Sequence, residues 1–134
     1  MNVFFDVDDT LIALDGSLRP RVHEVFQKII DRGHVIYIWS GVGLRWEEVE
    51  KHGLRPYVRD CYQKPRWGHR ERLELLGVDI EPHFVVDDFK DIVEVFGGHA
   101  IRPYYSANPE DREMDVVYEK LLAVAAAQEA GEPA

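Results

Sequence analysis

Two aspartates spaced two apart follow an apolar run near the start of the chain, in Val3-Phe4-Phe5-Asp6-Val7-Asp8-Asp9-Thr10-Leu11. Side chains alternate with a period of two along a strand. Asp6 at a strand end and Asp8 in locally extended chain therefore point the same way. Two acids side by side repel, and a divalent cation is the natural counter-charge. Other polar residues fall in similar places. Ser40 follows the run His34-Val35-Ile36-Tyr37-Ile38-Trp39, Lys64 comes shortly after Cys61-Tyr62, and Asp87, Asp88 and Asp91 follow His83-Phe84-Val85-Val86. Several carboxylates make a hard oxygen site suited to Mg²⁺. A lysine and a hydroxyl can hold phosphoryl oxygens, one aspartate can act as a nucleophile, and a second can move the proton.

The elements that must position these groups are legible in the apolar pattern. Strand-like runs alternate with helical periodicity, which predicts an α/β fold with a parallel sheet. Strands are expected at 2–7, 34–39, within 57–62, at 83–86 and briefly around 99–102. The second is apolar without alternation, as a strand covered on both faces should be. Helices are expected from Pro20 to Gly33, over 44–52, from Lys64-Pro65 to Gly77, over a short stretch bearing Ile92, Val95 and Phe96, and after an Asn108 cap with Pro109 in the first turn. Met114, Val117, Leu121 and Leu122 are the expected buried side of that last helix, and the chain after about residue 127 is expected to fray. In an open parallel sheet the carboxyl ends of the strands share one edge, where ligands bind. Topology would thus gather Asp6, Asp8, Ser40, Lys64 and the later aspartates into one cluster.

Length and composition bound the rest. A chain of 134 residues suits one domain over 1–134. With 46% hydrophobic and 31% charged residues it has an ordinary globular balance and needs no staple. Cys61 is the only cysteine, so it is read as a small core residue and no intramolecular disulfide can form. No apolar run approaches a membrane span and no signal segment is evident, so a cytoplasmic protein with no membrane partner is expected. A net charge of −9 disfavours nucleic acid and anionic membranes. A basic middle third, from Arg45 through Arg72, could still form a positive rim that attracts an anionic substrate. The six histidines show no ligand spacing and are read as structural.

Taken together in this order, the motifs resemble the haloacid dehalogenase-like (HAD) hydrolase superfamily, mostly Mg²⁺-dependent phosphohydrolases. The resemblance spans Val3 to about Asp91. It rests on Asp6-Val7-Asp8-Asp9-Thr10 after a hydrophobic strand, Ser40 at the end of a strand, Lys64 at a helix start, and Asp87-Asp88 with Asp91 after another strand. It implies a three-layer α/β/α sandwich of Rossmann-like topology, with a five-stranded parallel sheet in the order 5-4-1-2-3. It also implies phosphatase activity through an aspartyl-phosphate. Asp6 would be the nucleophile and a Mg²⁺ ligand. Asp8 would be the general acid/base and offer its main-chain carbonyl to the metal, and Thr10 would steady the loop carrying it. Ser40 and Lys64 would bind the transferring phosphoryl group. Gly41, Thr10 and Arg45 complete the expected substrate-binding set. Asp87 would ligate Mg²⁺, with Asp88 or Asp91 assisting.

Only residues 11–18 fill the slot where larger relatives of that superfamily insert a cap, and the slot before Lys64 holds almost nothing. A capless protein with an open site is implied. Its substrate, a phosphorylated compound and most simply a small molecule, would be selected at the rim, or a partner subunit of a homo-oligomer would supply a lid. Arg45, Trp67, Arg102, Tyr104 and Tyr105 are candidate rim residues. Three other readings compete. A receiver-type signalling domain would need its phosphorylated aspartate after the third strand, where none stands. A non-catalytic module would not need Asp6, Asp8, Lys64 and Asp87 together. A nucleic-acid end phosphatase runs against the acidic balance.

Overall fold

The computed structural model describes residues 1–131. Asn2–Phe5 is β1, the central strand, and Val3, Phe4 and Phe5 are fully buried. It pairs in parallel with β2 (Val35–Ser40) on one side and β4 (Phe84–Asp87) on the other. β3 (Val58–Gln63) lies beyond β2 and β5 (Gly98–Ala100) beyond β4, both parallel. The order β3-β2-β1-β4-β5 is 5-4-1-2-3 written from the opposite edge.

The alternation of β1 divides the core. Val3 and Phe5 join Ile36, Ile38, Phe84 and Val86 on one face. There they meet α1 (Val22–Asp31), α2 (Trp46–Lys51) and α4 (Glu113–Glu129). Phe4, Tyr37, Trp39 and Val85 line the other face, against Ile92 and Val93 of α3 (Lys90–Phe96) and Leu73 and Val78. Both faces are covered, so three layers result, with apolar strands as parallel sheets require. No helix is long and apolar enough to cross a membrane among the described residues.

Four expectations are corrected. The segment from Lys64 to Gly77 is not a helix but a string of turns. Gly68 takes a positive φ of 52° and interrupts it, and the bonds that follow mix three- and four-residue spans, as in Leu73 N–H to Arg70 O and Leu76 N–H to Arg72 O. Asn108 does not cap the last helix. It closes its own turn, its carbonyl and Oδ1 accepting the Asp111 and Glu110 N–H groups, and α4 starts at Glu113. The buried stripe of α4 is Met114, Val117, Leu121 and Ala125, with Leu122 only half-buried. α4 continues to Glu129, past the expected fraying point, and residues 132–134 lie outside the described residues.

Candidate active site

Asp6 directly follows β1, and its N–H continues the parallel ladder to the Val86 carbonyl at 3.0 Å. Asp87 ends β4, and its carbonyl accepts the Ile101 N–H at 2.9 Å. Ser40 ends β2 and pairs with Gln63, so the next residue of β3's strand, Lys64, donates its N–H to the Ser40 carbonyl at 2.8 Å. Neighbouring strands are about 4.8 Å apart. Four strand ends side by side therefore bring Asp6, Asp87, Ser40 and Lys64 together before any side-chain interaction is considered.

Lys64 Nζ donates to Asp6 Oδ1 at 2.9 Å and to Asp87 Oδ2 at 2.8 Å. The remaining Asp6 oxygen accepts the Thr10 hydroxyl at 3.1 Å, and the remaining Asp87 oxygen accepts the Phe89 N–H. Asp88 lies alongside, so that one oxygen from each of Asp6, Asp87 and Asp88 falls within 4.8 Å of the others. Three carboxylates face one ammonium, leaving an excess of two negative charges where Asp6 and Asp87 are buried. Burial, and next the Asp87 charge, raise the Asp6 carboxyl to about 7, against the opposing pull of Lys64. Asp87 is raised as well, chiefly by burial. An all-oxygen donor set short of two positive charges fits Mg²⁺. Lys64→Met should leave the buried acids without their ammonium and destabilise the metal-free protein by about 3 kcal/mol, read from urea unfolding.

The loop after Asp6 is held by its own backbone. The N–H groups of Thr10, Leu11 and Ile12 converge on the Val7 carbonyl, and Asp9 takes a φ of 64°. Leu11 and Ile12 anchor it in the core. Residues 11–18 turn tightly, Ala13 N–H bonding the Ser17 carbonyl, and β3 runs directly into Lys64, so neither slot carries a cap. Arg19, which no motif marks, is fully buried beneath this loop. It donates to the carbonyls of Thr10 and Arg102 and pairs with Asp111 at 3.0 Å, linking the loop to the start of α4. A buried arginine leaves no periodic signal, since its type predicts a surface position.

The remaining expected residues are distributed unevenly. Asp8 lies at the cavity wall but not in the carboxylate cluster, and both its oxygens accept from Arg45, at 2.7 and 3.0 Å. Arg45, expected at the substrate rim, instead bridges Asp8, Ser40 and Glu48. Thr10, expected to contact substrate, is wholly buried behind Asp6 and donates to Asp6 and, at 3.4 Å, to Asp88. Asp91 is not part of the cluster. α3 has begun by then, and Asp91 projects from its first turn into solvent, where an acid suits the helix dipole. Tyr104, expected at the rim, is buried beside the Arg19 guanidinium. Asp6, Asp8, Asp9, Ser40, Gly41 and Lys64 do line one cavity of about 320 Å³ with Asp87 and Asp88. Arg66, His69 and Phe89, none of which was expected there, line the same cavity.

The fold and the site together define an α/β protein with an all-parallel Rossmann-like sheet and an acidic cluster at its carboxyl edge. No protein-family model matches the chain, and no curated protein does. Among solved structures, an uncharacterized protein from Listeria monocytogenes serotype 4b is similar over 93% of this chain and 98% of its own, with 17% identity and a TM-score of 0.58. At that identity the likeness is one of fold.

Proposed function

We propose that the chain is a Mg²⁺-dependent phosphatase of the HAD-like type, acting through Asp6. One observation carries this reading: three carboxylates converge beside the end of the central strand, two of them sharing a single lysine, with a fourth acid, Asp8, on the wall of the same cavity. A purely structural ion pair would need only one of these carboxylates against Lys64.

Asp6, Asp87 and Asp88 would hold the cation. When bound, it would neutralise their excess charge and that of the phosphoryl oxygens. Asp6 is the nucleophile. An oxygen of its carboxylate attacks phosphorus, the bond to the leaving alcohol breaks, and Asp8 supplies the alcohol's proton. Asp8 then takes a proton from water as the water oxygen attacks the aspartyl-phosphate, releasing inorganic phosphate and restoring Asp6. Lys64 keeps Asp6 oriented and balances part of the charge that accumulates during transfer, while Thr10 fixes the carboxylate plane from behind. The Ser40 hydroxyl stands at the cavity wall to bind a phosphoryl oxygen. Because Arg45 occupies both oxygens of Asp8, proton delivery requires Arg45 to release one of them as substrate enters.

Hydrolysis of an aryl phosphate should appear with millimolar Mg²⁺ and disappear on chelation with EDTA. Turnover that persists undiminished in EDTA would overturn the reading.

A further inference from the structure

The cavity carries both signs of charge. Asp6, Asp8, Asp9, Asp87 and Asp88 line it together with Lys64, Arg66 and His69, three groups from the segment after β3. Most arginines nearby have partners. Arg45 is paired with Asp8 and Glu48, Arg70 with Glu81, Arg55 lies over Trp46 and Arg72 over Trp67. Lys64 is bonded to Asp6 and Asp87. Arg66 has no ion pair among the described residues, although an acidic cluster lines the same cavity.

The backbone makes room for this arginine. Its stem crosses Gly41, where an added Cβ would lie 2.8 Å from Arg66 Nε and 3.2 Å from Cγ. Gly41 does not have the positive φ of a turn glycine, and a side chain there would displace the Arg66 stem. Arg66 is thereby laid against the loop that starts at Ser40. The lining also includes the exposed apolar side chains of Phe89 (63%) and Val42 (65%). A volume of about 320 Å³ suits a small molecule.

We propose that Arg66 and His69 form an anion subsite. The substrate is then a small phosphate monoester whose leaving alcohol carries a second anionic group, a carboxylate or a phosphate. Its reacting phosphoryl group lies at Asp6, its second anion meets the Arg66 guanidinium, and the chain between them rests on Phe89 and Val42. A guanidinium fork matches either anion in a bidentate manner. The inference rests on the phosphatase reading and extends it to substrate class.

The test compares kcat/KM with Mg²⁺ for two matched pairs: phosphoglycerate against glycerol phosphate, and a sugar bisphosphate against its monophosphate. An aryl phosphate serves as the reference. The substrate with a second anion should be favoured in at least one pair, the carboxylate arm and the phosphate arm identifying which anion fits. Arg66→Ala should lower that preference about tenfold, the worth of one charge-assisted contact, mainly through KM. Arg66→Lys should restore part of it. Arg66 is exposed, so these variants should fold, and thermal melts verify it. A wild type that cleaves the aryl phosphate but prefers neither double anion overturns the subsite alone, as does a preference that survives Arg66→Ala. A wild type that cleaves none of these compounds overturns the phosphatase reading and the subsite with it.

Discussion

Asp6→Asn is expected to lower aryl phosphate hydrolysis by roughly 10³-fold or more while leaving the metal-free protein at least as stable as the parent. The first half follows from the nucleophile: an amide oxygen does not attack phosphorus as a carboxylate does. The second follows from the surroundings. Asp6 is buried beside Asp87, and both effects raise its pKa to about 7, so its ionised form is unfavourable in the fold. An asparagine keeps the shape and removes the charge. Its Oδ1 can accept from Lys64 and its amide can donate to Thr10, whose hydroxyl can turn toward Asp88. Sites arranged for chemistry commonly carry such strain at a loss of stability. Turnover together with a urea melt decides the matter. Unchanged turnover would rule out Asp6 as nucleophile, and lost activity accompanied by lost stability would mark Asp6 as a structural residue.

The metal-free protein should lose stability as pH rises from about 4.5 to 7.5, and millimolar Mg²⁺ should restore it. The sign follows from the direction of the shift. The Asp6 carboxyl titrates at about 7 in the fold, against 3.8 when unperturbed. Between those values the folded state binds the additional proton, so unfolding becomes easier as pH rises. Asp87, also raised, acts in the same direction. Each unit of separation is worth about 1.4 kcal/mol. The expected loss is a few kcal/mol at most, because the two acids share one lysine and titrate together. For a chain of this size that is a fall in Tm of roughly 5–10 °C. A cation bound only by the folded state at about 100 times its Kd returns about 2.7 kcal/mol. Melting curves at several pH values, with Mg²⁺ and with EDTA, separate the two effects. A Tm that is flat across the window and indifferent to Mg²⁺ would show that the carboxylates are balanced without a cation.

The parts of the site that were legible are those fixed by strand ends. An apolar run that stops at a polar residue marks both the end of a strand and the first position free to face a ligand. Asp6, Ser40, Lys64 and Asp87 each stand there, and in a parallel sheet one edge receives them all. The covered sheet was legible for the same reason, since β1, β2 and β4 are apolar on both faces. The helical reading of residues 64–77 failed because spacing alone cannot weigh Gly68 against two inward leucines, Leu73 and Leu76. Asn108 misled because an asparagine satisfies an isolated turn as readily as a helix start.

By itself, the sequence determined the alternation of strands and helices, the acids and lysine at the strand ends, and the shortness of the connections at 11–18 and before Lys64. Each is a matter of local order along the chain, where hydrophobic period and residue type act directly. Tertiary structure alone decided which polar groups meet. It placed Asp88 in the cluster and Asp91 in solvent, because α3 begins between them. It joined Arg45 to Asp8 across 37 positions and buried Arg19 under the loop between β1 and α1. It also laid Arg66 across Gly41. Side-chain partners separated in sequence depend on where packed elements put them, and no local period records that placement.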